Sequence, residues 1–200
     1  MSDSLPATLE LTGKYVVLEP LSLHHLPALS DAVKDGELWK LSYTGVPAPS
    51  DFESWFDYAA SQREAGKQLP FVVKRLDDQK VVGSTRFYDI DFQHQNVSIG
   101  FTWYSASVQR TAVNTECKLL LLSHAFEVCK FNAVYWHTHH ENKRSQAAIE
   151  RLGAKLDGII RNHKVMPNGS LRDTYSYSMI KEEWPGARAK LSARLKNSGP

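Results

Sequence analysis

The 200-residue sequence predicts a mixed α/β fold on a mostly antiparallel sheet of about seven strands flanked by helices. Three observations carry this expectation. Strand-like segments at Leu69–Arg75, Val81–Asp89 and Val97–Trp103 follow one another across short polar turns, as in an antiparallel meander and unlike an all-parallel sheet. The third runs through a polar turn into a long helix, from about Ala112 to Lys130. Near the end, Lys155–Val165 and Leu171–Ile180 are joined by Pro167-Asn168-Gly169, a hairpin signal.

In chain order, a polar leader precedes the strand Tyr15–Glu19, which Pro20 ends. Ser22 is the expected N-cap of a helix to Lys34, with Leu23, Leu26, Leu29 and Val33 at helical spacing; Pro27 fits if the helix starts late. After a Gly- and Pro-bearing loop, Ser50 and Glu53 have the form of a capping box, opening a helix that Gly66 stops. Its Trp55, Phe56 and Tyr58 cannot share one buried face; they either pack on the sheet or line a pocket. In the central strand, Val97, Ile99, Phe101 and Trp103 alternate with Ser98, Gly100 and Thr102. A glycine there marks a bulge, or a close approach by another backbone or a ligand along its bare face.

The helix after this strand wraps a whole turn, Leu119 to Leu122, in apolar side chains, so it is covered on more than one side. Its unpaired N–H groups and dipole, with Arg110 in the preceding loop, suit a phosphate; an ordinary connection with Arg110 in solvent is the alternative. A second junction follows the strand Ala133–His139. There Asn142 is a good N-cap for Lys143–Leu152, a helix that Gly153 ends, and Lys143 and Arg144 sit in a first turn that disfavours cations unless an anion is near. Trp184-Pro185 opens a short basic helix or tail, and Lys196 to Pro200 should fray.

Composition sets the bounds. The length suits one domain, 1–200, with its core at about 11–184, and no repeat or linker divides it. Lys+Arg 24 against Asp+Glu 22 leaves +2, too little to imply nucleic-acid or membrane binding. No segment reaches membrane-spanning length. Cys117 and Cys129 share one helix about 18 Å apart, beyond disulfide reach, and read as reduced core residues. A cytoplasmic protein is expected. His137 and His139 share a strand face and His140 follows, but two strand ligands without a completing Cys–His spacing do not make a metal site, so none is expected.

Gln109-Arg110-Thr111-Ala112-Val113-Asn114, after a strand and opening a helix, resembles the acetyl-coenzyme A motif of the GNAT acyltransferase superfamily, which reads Gln or Arg, two residues, Gly, one residue, then Gly or Ala. The chain departs from it at Ala112 and Asn114. Ile99-Gly100-Phe101-Thr102-Trp103, Asn142-Lys143-Arg144-Ser145, Arg151-Leu152-Gly153-Ala154 and Arg172-Asp173-Thr174 follow in the expected order, similar to the RimJ/RimL-like branch of ribosomal-protein N-terminal acetyltransferases, over roughly Leu11 to Trp184.

The resemblance implies a GNAT fold with splayed central strands at the acyl-CoA site, and acetyl-CoA as cosubstrate without a metal. It assigns Phe101, Thr102 and Trp103 to the strand that pairs with pantetheine, and Gln109, Arg110, Thr111, Ala112, Val113, Asn114 and Thr115 to the pyrophosphate. Asn142 goes to cofactor binding, and Ser145 to protonating or hydrogen-bonding the leaving thiolate. Many relatives carry Glu where this chain has Ser98. His94, Asp89 or Asp91 acting through water, His94 first, are the expected replacements, unless the amine arrives neutral. The expected activity is acetyl transfer to a primary amine, a protein N-terminus or a small molecule; the alternatives are a noncatalytic acyl-CoA-binding module and a phosphate-ligand binder unrelated to CoA. Exposed strand edges suggest a homodimer.

Overall fold

The computed structural model describes residues 4–166 and 168–197. Among these, eight strands form one sheet: β1 (Leu11–Thr12), β2 (Val16–Pro20), β3 (Gln68–Arg75), β4 (Val81–Asp91), β5 (Asn96–Tyr104), β6 (Ala133–His139), β7 (Lys155–Val165) and β8 (Leu171–Ile180), in the order β1-β2-β3-β4-β5-β6-β8-β7. Only β5 and β6 pair in parallel. The helices are α1 (Leu26–Lys34), α2 (Phe52–Glu64), α3 (Ala112–Ser123), α4 (Lys143–Glu150) and α5 (Trp184–Asn197), with a π-helical turn, His124–Val128, continuing α3.

The mixed fold stands as expected, with one strand more. The two residues of β1 are too few for alternation to reveal, and they pair across β2 as Leu11↔Leu18. Helix α1 starts late, after a 3₁₀ turn at Leu23–His25, which puts Pro27 where its missing N–H costs no hydrogen bond. The capping box at Ser50 does not form. Pro49 opens a 3₁₀ turn that runs to Asp51, so Ser50 lies inside that turn and donates to Asp51 Oδ1 at 2.8 Å instead of capping α2. Gly66 and Gly153 end α2 and α4 at φ +68° and +102°. In the β7–β8 turn, Gly169 N–H donates to Met166 O, while Pro167 lies outside the described residues.

One sheet face packs Phe71, Phe87, Ile99, Val134 and Trp136 against Cys117, Leu121 and Leu122 of α3 and Trp184 and Leu191 of α5. The C-terminal segment is thus part of the core, because Trp184, Ala187 and Leu191 lie on one buried stripe of α5. Residues 198–200 of the expected frayed end are outside the described part. The opposite face is covered over part of its width: Leu29 and Val33 of α1 and Phe52 and Phe56 of α2 pack on Val72 and Trp103. No helix among the described residues is long and apolar enough to cross a membrane.

Candidate functional site

The site begins where the sheet comes apart. β5 and β6 pair only over Asn96–Ser98 and Ala133–Tyr135; β5 then runs on to Tyr104 and β6 to His139 with no ladder between them. The cause is local. The β4–β5 register shifts between Ser84↔Trp103 and Arg86↔Gly100, and Phe101 in the extra space takes φ +51°. An extra residue in one strand of a pair bends that strand, and here it leaves two facing backbone edges unpaired.

The same bulge resets the side-chain alternation. The sequence places Val97, Ile99, Phe101 and Trp103 on one face, but only Val97 and Ile99 join the α3 core. Phe101 lies against Arg86 and Tyr88, and Trp103 against Phe52, on the α2 face, while Thr102 turns toward α3.

Both arms of the gap lead into helix starts. After β5, Gln109 Nε2 donates to Tyr104 O at 2.9 Å, Arg110 is exposed at φ +65°, and Thr111 caps α3 by accepting from the Val113 N–H at 3.3 Å. After β6, Asn142 Oδ1 accepts from the Ser145 N–H at 3.0 Å and caps α4. The side chain of Arg144 donates to Gln109 Oε1 and ties the two starts together. Two positive helix ends therefore meet at the mouth with Arg110, Lys143 and Arg144, an arrangement that attracts an anion. Ala112 and Val113 are buried beneath this loop, and Asn114 and Thr115 are half-buried in the first turn of α3.

Where the gap opens, on the α2 face, lies a group of residues that the sequence reading missed. Tyr88 pairs across the ladder with Ser98, and its ring covers Gly100 so closely that a Cβ there would come within 2.7 Å of a ring carbon. This ring is what the bare glycine accommodates. The Tyr88 hydroxyl lies 3.0 Å from His137 Nδ1 on β6. Burial pushes the Tyr88 phenol up to about 12, partly offset by Ser98, and burial also draws the His137 imidazolium below its usual range. Beside them, fully buried Arg86 donates to Gln68 Oε1 at 2.9 Å between the rings of Trp55 and Phe101, 4.5 and 4.6 Å from its guanidinium carbon. On the α3 side of the bulge, buried Lys118 donates to Thr102 Oγ1 at 2.8 Å. Counting the hairpin register back from the Asp91–Gln95 turn would have set Tyr88 opposite Ser98; the two cations give no such signal.

His94 is not part of this group. It sits in the β4–β5 turn, 2.8 Å from Asp91 Oδ2, before the paired end of β5 and so on the far side of the ladder from the gap. Asp91 is engaged in the same pair, and His94 holds its carboxyl below the usual range. The sequence could not reveal this, because it does not show at which end of β5 the strands part.

His139, His140 and Glu141 bring potential ligand atoms within 4.8 Å of one another. Yet Nδ1 of His139 accepts from the Glu141 N–H at 3.0 Å and Nδ1 of His140 from the Asp173 N–H at 3.1 Å. Each neutral ring then carries its proton on Nε2, a donor and not a ligand. Burial pushes the Cys117 and Cys129 thiols up to about 12 and about 11, so neither is a thiolate nucleophile near neutral pH.

Comparison with known proteins agrees with this geometry. The sequence is 27% identical over 113 residues to YdaF of Bacillus subtilis (strain 168), which carries the provisional name of ribosomal N-acetyltransferase; the match covers 56% of this chain and 61% of that protein, so the chain spans about three fifths of its length. A GCN5-related N-acetyltransferase from Brucella melitensis has the same fold with a TM-score of 0.84 and 30% identity, over 95% of this chain and 86% of that one. Mycobacterium smegmatis RimJ, solved in complex with CoA-disulfide, shares the fold at a TM-score of 0.75 with 20% identity, over 93% of each chain. The model of the acetyltransferase (GNAT) domain matches residues 16–155, and the chain belongs to that family.

Proposed function

We propose that the protein is an acetyl-CoA-dependent N-acetyltransferase, moving an acetyl group to a primary amine by direct attack. The observation that carries this reading is the gap between β5 and β6, opening onto two helix N-termini. An extended arm with amide groups fits between two unpaired strand edges, as a further strand would, and a pyrophosphate suits the mouth. The backbone of Phe101, Thr102 and Trp103 forms one edge. Residues Gln109 to Thr115, with Arg110 outermost, hold the phosphates, and Asn142 fixes the start of α4. Ser145, whose N–H Asn142 already holds, turns its hydroxyl to the leaving sulfur. The amine nitrogen forms its bond to the carbonyl carbon as the carbon–sulfur bond breaks, and holding both partners in place supplies much of the acceleration.

A peptide or protein N-terminus is the acceptor we favour, on the name of the curated relative; a small-molecule amine is the other class. No nucleic acid and no membrane is required. Two free cysteines suit the cytoplasm. Strand β7 ends the sheet with Leu156, Ile159, Ile160 and Val165 exposed, which supports a homodimer through that edge; charge at Ile159 (Ile159→Lys) would then dissociate it in sedimentation. The absence of a carboxylate at Ser98 favours a second reading, a noncatalytic acyl-CoA-binding module.

Thiol release from acetyl-CoA, measured against N-terminal peptides, polyamines, amino acids and aminoglycosides with CoA binding in parallel, separates the two. Acceptor-dependent release that falls in Ser145→Ala while binding persists supports transfer. Binding without release across the panel supports the module, and no binding removes both.

A further inference from the structure

We propose that Tyr88 and His137 act as one proton acceptor for the incoming amine, filling the role that Ser98 cannot; this rests on the transferase reading above. Three elements bring the pair to the place where the gap opens. Ser98 is the last residue of β5 in the parallel ladder, Tyr88 faces it from β4, and His137 stands on β6 two residues beyond Tyr135, the last ladder partner. The hydrogen bond between Tyr88 and His137 therefore spans β5 from one side to the other, over the backbone of Gly100. Phe101 meets the Tyr88 ring edge to face at 5.4 Å and His137 at 6.4 Å, so the hydroxyl is held in one place. His137 is sheltered on its Nδ1 side by Tyr88, while part of the residue still reaches solvent.

The surroundings favour an uncharged imidazole. Among the described residues, Asp89 from β4 is the one anionic group facing His137, against His163 and Lys164 from β7 and Arg172 from β8; Asp89 and Arg172 also face Tyr88. With the Tyr88 hydroxyl as donor, Nδ1 holds the lone pair and Nε2 the proton. One proton of the acceptor ammonium passes to the Tyr88 oxygen as the Tyr88 proton passes to Nδ1, leaving a neutral amine and an imidazolium that releases its proton to solvent. The amine lone pair then forms the carbon–nitrogen bond and the carbon–sulfur pair goes to sulfur. The second proton, freed from nitrogen, ends on the thiolate that Ser145 holds, so one proton leaves per turnover.

The test compares Tyr88→Phe, His137→Gln and the double variant with the unsubstituted protein, using acetyl-CoA and the best acceptor of the panel above, with CoA binding measured by calorimetry. Each single variant should lower kcat at pH 7 about 100-fold while CoA binding and the KM for acetyl-CoA hold, since general-base catalysis contributes about that much. The acidic limb of the rate profile should move up toward the acceptor's own pKa. The double variant should be no slower than the slower single one, because the two groups act as a unit. If the pH profile stays in place, or the two losses multiply, the assignment falls while the transferase reading stands. If Tyr88→Phe fails to bind CoA, His137→Gln alone decides by the same profile. CoA binding without turnover by the unsubstituted protein overturns both.

Discussion

The two faces of β5 at its bulge each bury one cation, and they accommodate it differently. Toward α3, Lys118 meets two hydroxyls, Thr102 Oγ1 at 2.8 Å and Thr85 Oγ1 at 3.4 Å, which are themselves 2.8 Å apart. Toward α2, Arg86 meets two aromatic rings and one amide oxygen, and its Nε and Nη2 have no hydrogen-bond partner among the described residues. Burial draws the Lys118 ammonium down to about 8 and the Arg86 guanidinium only to about 10. Lysine sheds its charge at a modest rise in pH; arginine holds its own about two pH units further. The α2 face, where Tyr88 and His137 stand, thus holds a fixed positive charge that ring faces stabilise. The α3 face holds one that a modest rise in pH removes.

Breaking the α2 side has the largest expected effect. Arg86→Ala empties the space between Trp55 and Phe101 and should cost on the order of 4 kcal/mol in urea unfolding, as for other large buried side chains cut to Ala. Arg86→Met keeps most of the volume and should return to within about 1 kcal/mol of the parent, since a buried charge is often replaced by an apolar group at little loss. A Met variant as weak as the Ala variant would mean that the charge, not the filling, holds this face.

On the α3 side the sign reverses. The folded pKa of Lys118, about 8, lies below the ordinary lysine value of 10.5, so between these values the unfolded chain binds more protons and stability climbs with pH. Lys118→Met should be about 3 kcal/mol more stable than the parent at pH 7, and the difference should shrink from about pH 8 and vanish near pH 10.5. Unfolding curves at pH 7 and pH 10 check this; parallel stability at both would remove the distinction between the faces.

Two smaller changes sharpen it. Gly100→Ala must displace the Tyr88 ring, for about 2 kcal/mol, and should shift the His137 titration seen by NMR, which Lys118→Met leaves in place. Asn142→Ala removes a helix cap away from both faces and should cost about 1 kcal/mol at either pH.

The sequence made legible what depends on neighbours in the chain. Asn142 caps α4 because cap chemistry acts within three residues, and β6, β7 and β8 begin and end at the residues that the sequence marks. Gly100 correctly marked a close approach, though not what approaches. Gly100 also marked the bulge, which lies just beyond it; what it did not show is the consequence, that Phe101 at φ +51° reverses every side chain after it. The capping box at Ser50 failed for a related reason, since Pro49 set a tighter turn first. His94 has the chemistry of a base, but its place at the paired end of β5 follows only from the topology. Nothing in the sequence marks Arg86 and Lys118 as buried; only the fold encloses them.

Lys118 also makes the core its own timekeeper. No amine-directed label reaches this walled-in amine while α3 stays docked, and the amine regains its ordinary basicity only when the helix lifts. Its labelling rate at saturating reagent therefore counts the openings of α3 from the sheet, as amide exchange counts broken hydrogen bonds. An anion seated at the first turn of α3 should slow that count. The helix that receives the ligand at one end thus reports, from its middle, how often the protein lets go.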